Sequence, residues 1–124
     1  MPLTLEWDGQ IVIQRVTGEV NVAEVLASKR ELQGDPRFDR LRFLLQDLTG
    51  MTGWHLSPLQ IEQLEAFDRG SMHINPSLRR AFVVRQELVA PMETGLRSVR
   101  IRGYETRFFT SHADARAWFA TFDR

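Results

Sequence analysis

The chain has 124 residues, the size of one domain, and its 43% hydrophobic and 26% charged content is ordinary for a globular protein. There is no cysteine, which excludes disulfides, thiolate metal sites and cysteine nucleophiles. Sixteen basic residues balance sixteen acidic ones, so no net charge draws the chain to nucleic acid.

The N-terminal stretch has no basic region followed by an apolar run, so no signal peptide is expected. No segment approaches the ~18 apolar residues of a membrane span. A cytoplasmic domain without an integral membrane segment is the expectation. Lys29 is the sole lysine, and the arginines are scattered among acids rather than gathered into an anion patch.

Leu3, Leu5 and Trp7 alternate with polar residues and predict a strand. Asp8-Gly9 is a hairpin signal, and the alternation resumes from Ile11 to Val16, ending at Thr17-Gly18. Asn21 caps a helix, with Glu24 at the capping-box position and Val22, Val25, Leu26 and Leu32 on one face, Lys29 on or beside it. Gly34-Asp35-Pro36 stops that helix. Residues 41–45 form an interior strand, which Asp47 closes, and residues 49–53 read as a loop.

Ser57-Pro58 opens the next helix, with serine as cap and proline at the first position. Ile61, Leu64 and Phe67 face the core, and Gln60, Glu62, Gln63 and Glu65 are expected to face water. Asn75-Pro76 breaks the chain, and residues 81–84 are a buried strand bracketed by Arg79, Arg80 and Arg85. Leu88, Val89, Met92, Leu96 and Val99 step by three and four, predicting a helix with Pro91 in its first turn, where a missing N–H does no harm. A short strand follows at 106–109. Ser111 then starts a last helix, with Asp114 three residues on and Ala115, Trp118, Phe119 and Phe122 as its apolar stripe.

The order is ββαβαβαβα. This is one α/β domain over residues 1–124, with a mixed sheet of about five strands and about four helices. After the hairpin, strand–helix alternation implies right-handed crossovers and parallel pairing.

Several motifs, in this order and spacing, carry a resemblance. They are Gly34-Asp35-Pro36-Arg37-Phe38, Leu44-Leu45-Gln46-Asp47-Leu48-Thr49-Gly50, Leu56-Ser57-Pro58, Tyr104-Glu105-Thr106-Arg107-Phe108-Phe109 and Ala113-Asp114-Ala115-Arg116-Ala117-Trp118. Over nearly its whole length the chain resembles the small SpoIIAA-like, STAS-like bacterial proteins. The resemblance implies a mixed sheet with helices. It also implies a regulatory interaction module, such as an anti-sigma-factor antagonist, or a small-ligand sensor. Antagonists of that kind carry a phosphorylatable Ser or Thr after an Asp at the start of the helix that follows the third strand. Here the stretch reads Trp54-His55-Leu56-Ser57-Pro58, with His55 near the Asp position and Leu56 at the acceptor, a departure that argues against a kinase-controlled switch.

The candidate site is the segment 47–57, between a parallel strand end and a helix N-terminus, where α/β sheets place ligands. Asp47, Thr49, Thr52, His55 and Ser57 are expected around one crevice, walled by Met51 and Trp54 and faced by Arg85. Each also has a structural use. Asp47 can satisfy loop amides or pair with Arg85, Ser57 can cap, and Trp54 can cover the sheet edge. His55 beside Asp47 invites acid–base chemistry, but no nucleophile completes a set, so no catalytic residue is assigned.

His55, His73 and His112 lack metal-ligand spacing, and no metal or cofactor is implied. The stripe of Trp118, Phe119 and Phe122 is core or a contact surface. A cleft between residues 92–101 and 49–54 is a place for a small apolar ligand. The expected function is a non-catalytic regulatory or protein-interaction domain, with a protein or a second copy of itself as partner. The alternative is a domain that binds an apolar or anionic small molecule at 47–57.

Overall fold

In the computed structural model, which describes residues 3–53 and 56–122, five strands form one sheet in the order β1-β2-β3-β4-β5. Strands β1 (Leu3–Asp8) and β2 (Ile11–Glu19) are the expected antiparallel hairpin. Gly9 turns it with φ +60°, a left-handed backbone that glycine adopts without a Cβ clash. Strands β3 (Phe43–Gly53), β4 (Arg79–Val83) and β5 (Glu105–Phe109) add in parallel, each beside its predecessor.

This sequential order decides where the helices go. Right-handed crossovers that always step the same way along a sheet put every connecting helix on one face. Accordingly α1 (Val22–Gly34), α2 (Pro58–Ser71) and α3 (Gln86–Ser98) pack on the face presented by Val16 and Leu48. The opposite face would be bare. It is covered by α4 (His112–Ala120), whose Ala115, Trp118 and Phe119 pack on Ile13, Phe43, Leu45, Ala81 and Val83. The stripe with Trp118, Phe119 and Phe122 is therefore core, with Phe119 stacked on Phe43 at 4.4 Å between ring centroids.

The helix starts follow their local signals. Asn21 and Glu24 form a reciprocal capping box, as do Ser57 and Gln60, and Ser111 Oγ accepts from the Asp114 N–H. Pro36–Arg40 add a 3-10 helix after α1. Buried Asn75 donates to the Phe38 and Leu41 carbonyls, tying the segment before β4 to the segment before β3.

Four expectations need correction. Residues 49–53 are not a loop, because β3 runs on to Gly53, pairing Thr17 with Gly50 and Gly18 with Met51. β2 likewise continues past Thr17-Gly18 to Glu19. The register slips between Arg15 and Thr17, a β-bulge that sets two residues of β3 against one of β2. The slip lets Leu48 and Met51, three apart, join the same core cluster.

Pro91 lies inside α3 at its sixth residue, beyond the first turn, where it cannot donate to the Glu87 carbonyl. The helix persists because its apolar stripe still rests on the sheet-side cluster. Glu65 is buried at 5% exposure rather than facing water.

Candidate functional site

Strand parity divides the proposed site from the molecule's large cavity. Successive side chains of a strand point to opposite faces. On β3, Phe43, Leu45 and Asp47 face α4, while Leu44, Gln46 and Leu48 face the three crossover helices. Asp47 is held by Thr49, whose N–H and Oγ1 donate at 2.9 and 2.6 Å, by His112 Nε2 at 2.7 Å and by Arg15 Nη1 at 3.3 Å. Burial pushes its carboxyl pKa up, but the hydrogen bonds from Thr49 and His112 outweigh burial and leave it below the ordinary 3.8.

The other nominated residues scatter. Thr49 and Thr52 are exposed, Ser57 accepts from the Gln60 N–H as helix cap, and exposed Arg85 pairs with Glu87 at 3.5 Å rather than with Asp47. Trp54 and His55 lie outside the described residues. Asp47 finds its histidine in His112, 65 positions away, which no local pattern indicated.

The cavity lies on the opposite face and measures about 320 Å³, within the usual range for small-molecule sites. Its roof is α3. Leu88, Pro91, Met92, Gly95 and Leu96 form the one stripe of that helix that lines it. A packed core would hold side chains throughout such a stripe. Here proline and glycine occupy two turns of it, and a Cβ on Gly95 would meet nothing within 4 Å. No residue of α3 is fully buried, so the roof is only half seated.

Segment 47–57 supplies a wall after all, through Leu48, Met51 and Leu56. None of Asp47, Thr49, Thr52, Ser57 and Arg85 lines the cavity. The cleft expected between 92–101 and 49–54 thus corresponds to this space, lined by Met51, Met92 and Leu96.

The floor is polar, and it has two parts. The first is a chain of side chains from three elements: Gln46 Nε2 donates to Gln14 Oε1 at 2.6 Å, and Gln14 Nε2 donates to Ser28 Oγ at 2.7 Å. The second is a buried cluster of two cations and two anions. Arg80 Nη1 reaches Glu65 and Asp68 at 2.8 and 2.5 Å, Arg80 Nη2 reaches Glu65 at 2.7 Å, and Lys29 Nζ reaches both Asp68 oxygens at 3.0 and 2.9 Å.

Arg80 is 1% exposed. Desolvation alone would lower its pKa, but Glu65 and Asp68 outweigh it and hold the guanidinium charged. This cluster explains the burial of Glu65. A carboxylate facing an interior arginine is satisfied there, and its position on a water-facing stripe is overridden.

Among the described residues, no three His, Asp or Glu side chains gather as a metal site, and no helix is long and apolar enough to cross a membrane. No protein-family profile and no curated protein matches the chain. Solved structures similar to it include an uncharacterized protein of the DUF3478 family with a SpoIIAA-like fold from Shewanella loihica PV-4. That structure aligns with a TM-score of 0.60 at 14% identity, over 94% of this chain and 90% of the other. An anti-sigma factor antagonist from Mycobacterium paratuberculosis aligns with a TM-score of 0.61 at 16% identity, over 94% and 91%. The chain therefore has the SpoIIAA-like, STAS-like fold that its motif order implied, and at these identities the likeness is one of fold.

Proposed function

We propose that this chain is a non-catalytic regulatory domain that works by binding, and that a small, mostly apolar molecule under α3 is what it binds. The cavity carries the reading. It is walled by aliphatic side chains from β3, α2 and α3, and its roof helix keeps Pro91 and Gly95 on the very stripe that would otherwise fill it. Asp47 and His112 form a hydrogen-bonded pair whose described neighbours are Thr49 and Arg15, with no nucleophile completing a catalytic set.

Regulation of a protein partner is the role that the fold likeness to an anti-sigma factor antagonist supports. A phosphorylation switch at Ser57 has little support, because its Oγ already serves as the cap of α2.

The test uses N-phenyl-1-naphthylamine, an uncharged apolar fluorophore whose emission rises on leaving water. The wild-type chain should bind it saturably, and Gly95→Leu, which projects a side chain into the cavity while favouring the helix, should abolish binding without loss of thermal stability. No saturable binding by the wild type, or undiminished binding by Gly95→Leu, overturns the reading. Native mass spectrometry on the same samples decides whether occupancy changes self-association. A chain monomeric in both states removes the second copy as partner.

A further inference from the structure

We infer that the cavity selects an uncharged molecule with an apolar body and one hydroxyl group, seated against Gln46; the inference rests on the cavity reading above and adds the chemistry of the ligand's head. Gln46 lines the cavity, is 4% exposed, and has a side-chain oxygen, Oε1, with no hydrogen-bond partner and almost no exposed surface, so a ligand pairs it when the amide turns toward the cavity. An unpaired amide oxygen in an apolar space costs the desolvation of that group, so a ligand that pairs it recovers the loss. The amide chain reads equally well reversed. With both amides turned over, Ser28 Oγ donates to Gln14 Oε1, Gln14 Nε2 donates to Gln46 Oε1, and Gln46 Nε2 is the free atom. A hydroxyl both donates and accepts, so it completes the chain in either direction. A group that only donates or only accepts fits one direction alone.

The charged half of the floor decides the ligand's charge. Lys29, Glu65 and Arg80 also line the cavity, and the two cations invite the thought of a carboxylate head. Most of their donors are already committed. Arg80 Nε donates to Thr106 Oγ1 at 2.8 Å, its two terminal nitrogens go to Glu65 and Asp68, and Lys29 holds both oxygens of Asp68. Two cations against two anions leave no net charge to balance a fifth ion. An ionised carboxylate entering there would stay uncompensated in an apolar space, and that is costly. By the volume that one water takes in the liquid, the cavity has room for roughly ten water-sized groups, the scale of a medium-chain alcohol.

The experiment displaces bound N-phenyl-1-naphthylamine from the wild-type chain at pH 8 with three eight-carbon probes. These are 1-octanol, octanoate, and 1-chlorooctane, in which chlorine replaces the hydroxyl. The ratio of the octanol to the chlorooctane concentration needed should be about tenfold lower for the wild type than for Gln46→Leu, the difference of one satisfied buried hydrogen bond, and octanol should act at a lower concentration than octanoate. Gln46 lines the cavity, so the affinity of Gln46→Leu for the fluorophore is measured separately and each displacement is read against it.

Octanoate equal to or tighter than octanol overturns the uncharged head. A ratio unchanged by Gln46→Leu overturns the role of Gln46, and the comparison of octanol with octanoate needs no variant to fold. If the fluorophore itself does not bind, the cavity reading has failed first. If it binds and the probes do not discriminate, the head-group inference alone has failed.

Discussion

Gln46 and Asp47 are neighbours on β3 whose side chains lie on opposite faces of the sheet. Gln46 donates to Gln14 on the α1 side at 2.6 Å, and Asp47 accepts from His112 on the α4 side at 2.7 Å. One peptide bond therefore separates the floor of the apolar cavity from the Asp47 carboxylate and its partners Thr49, His112 and Arg15, and the two can be perturbed independently.

The carboxylate predicts an acid limb. The folded pKa of Asp47 lies below its ordinary 3.8, so the stability it contributes is fully present above that value and is lost as pH falls through the folded value. Asp47→Asn should be less stable than wild type near neutrality by about 1.5–3 kcal/mol, the range for hydrogen bonds to a charged group. The gap should close below pH 3.8, as read by urea unfolding at a series of pH values. A gap that does not change with pH would show that the charge of Asp47 is irrelevant.

Arg80 predicts a large single-site loss. Arg80→Met leaves Glu65 and Asp68 buried with only Lys29 as counter-charge, and breaking a buried ion pair from one side typically costs about 3–5 kcal/mol. Adding Glu65→Leu leaves the neutral Lys29–Asp68 pair, so the double variant should recover much of that loss. Denaturant unfolding of the two variants measures the difference, and a double variant worse than the single one would contradict the charge balance.

Two glycines should respond in opposite directions. A Cβ on Gly103 would sit 2.6 Å from the Asp68 Cβ, and Asp68 is pinned by Lys29 and Arg80 and cannot retreat. Gly103→Ala should therefore destabilise by about 1–3 kcal/mol, as overpacking does. Gly95→Ala meets open space within α3 and should stabilise by roughly 0.5–1 kcal/mol through helix propensity. Thermal unfolding distinguishes the signs.

Ser57 should behave as a cap. Ser57→Ala removes the acceptor for the Gln60 N–H and should cost about 1 kcal/mol. Binding of N-phenyl-1-naphthylamine should be unchanged, because Ser57 does not line the cavity. A loss of binding with little loss of stability would return Ser57 to the site.

The sequence by itself determined the elements and their order. Their signals are short-range: Asp8-Gly9 for the hairpin, Asn21 with Glu24 and Ser57-Pro58 for helix starts, and the steps of three and four along α3 and α4. Each acts within a turn or two of chain, so it survives without tertiary information. The apolar stripe of α3 was legible too, though not that its Pro91 and Gly95 open a space.

Only the tertiary structure decided which polar residues meet. The face of the sheet that a β3 residue takes depends on parity and on a bulge set by pairing with β2. Asp47 and His112 come together between β3 and α4, and Lys29, Glu65, Asp68 and Arg80 converge from three elements. A buried charge and a solvated one look alike in sequence. They differ in the neighbours that a fold supplies, and it is those neighbours that offset the cost of leaving water.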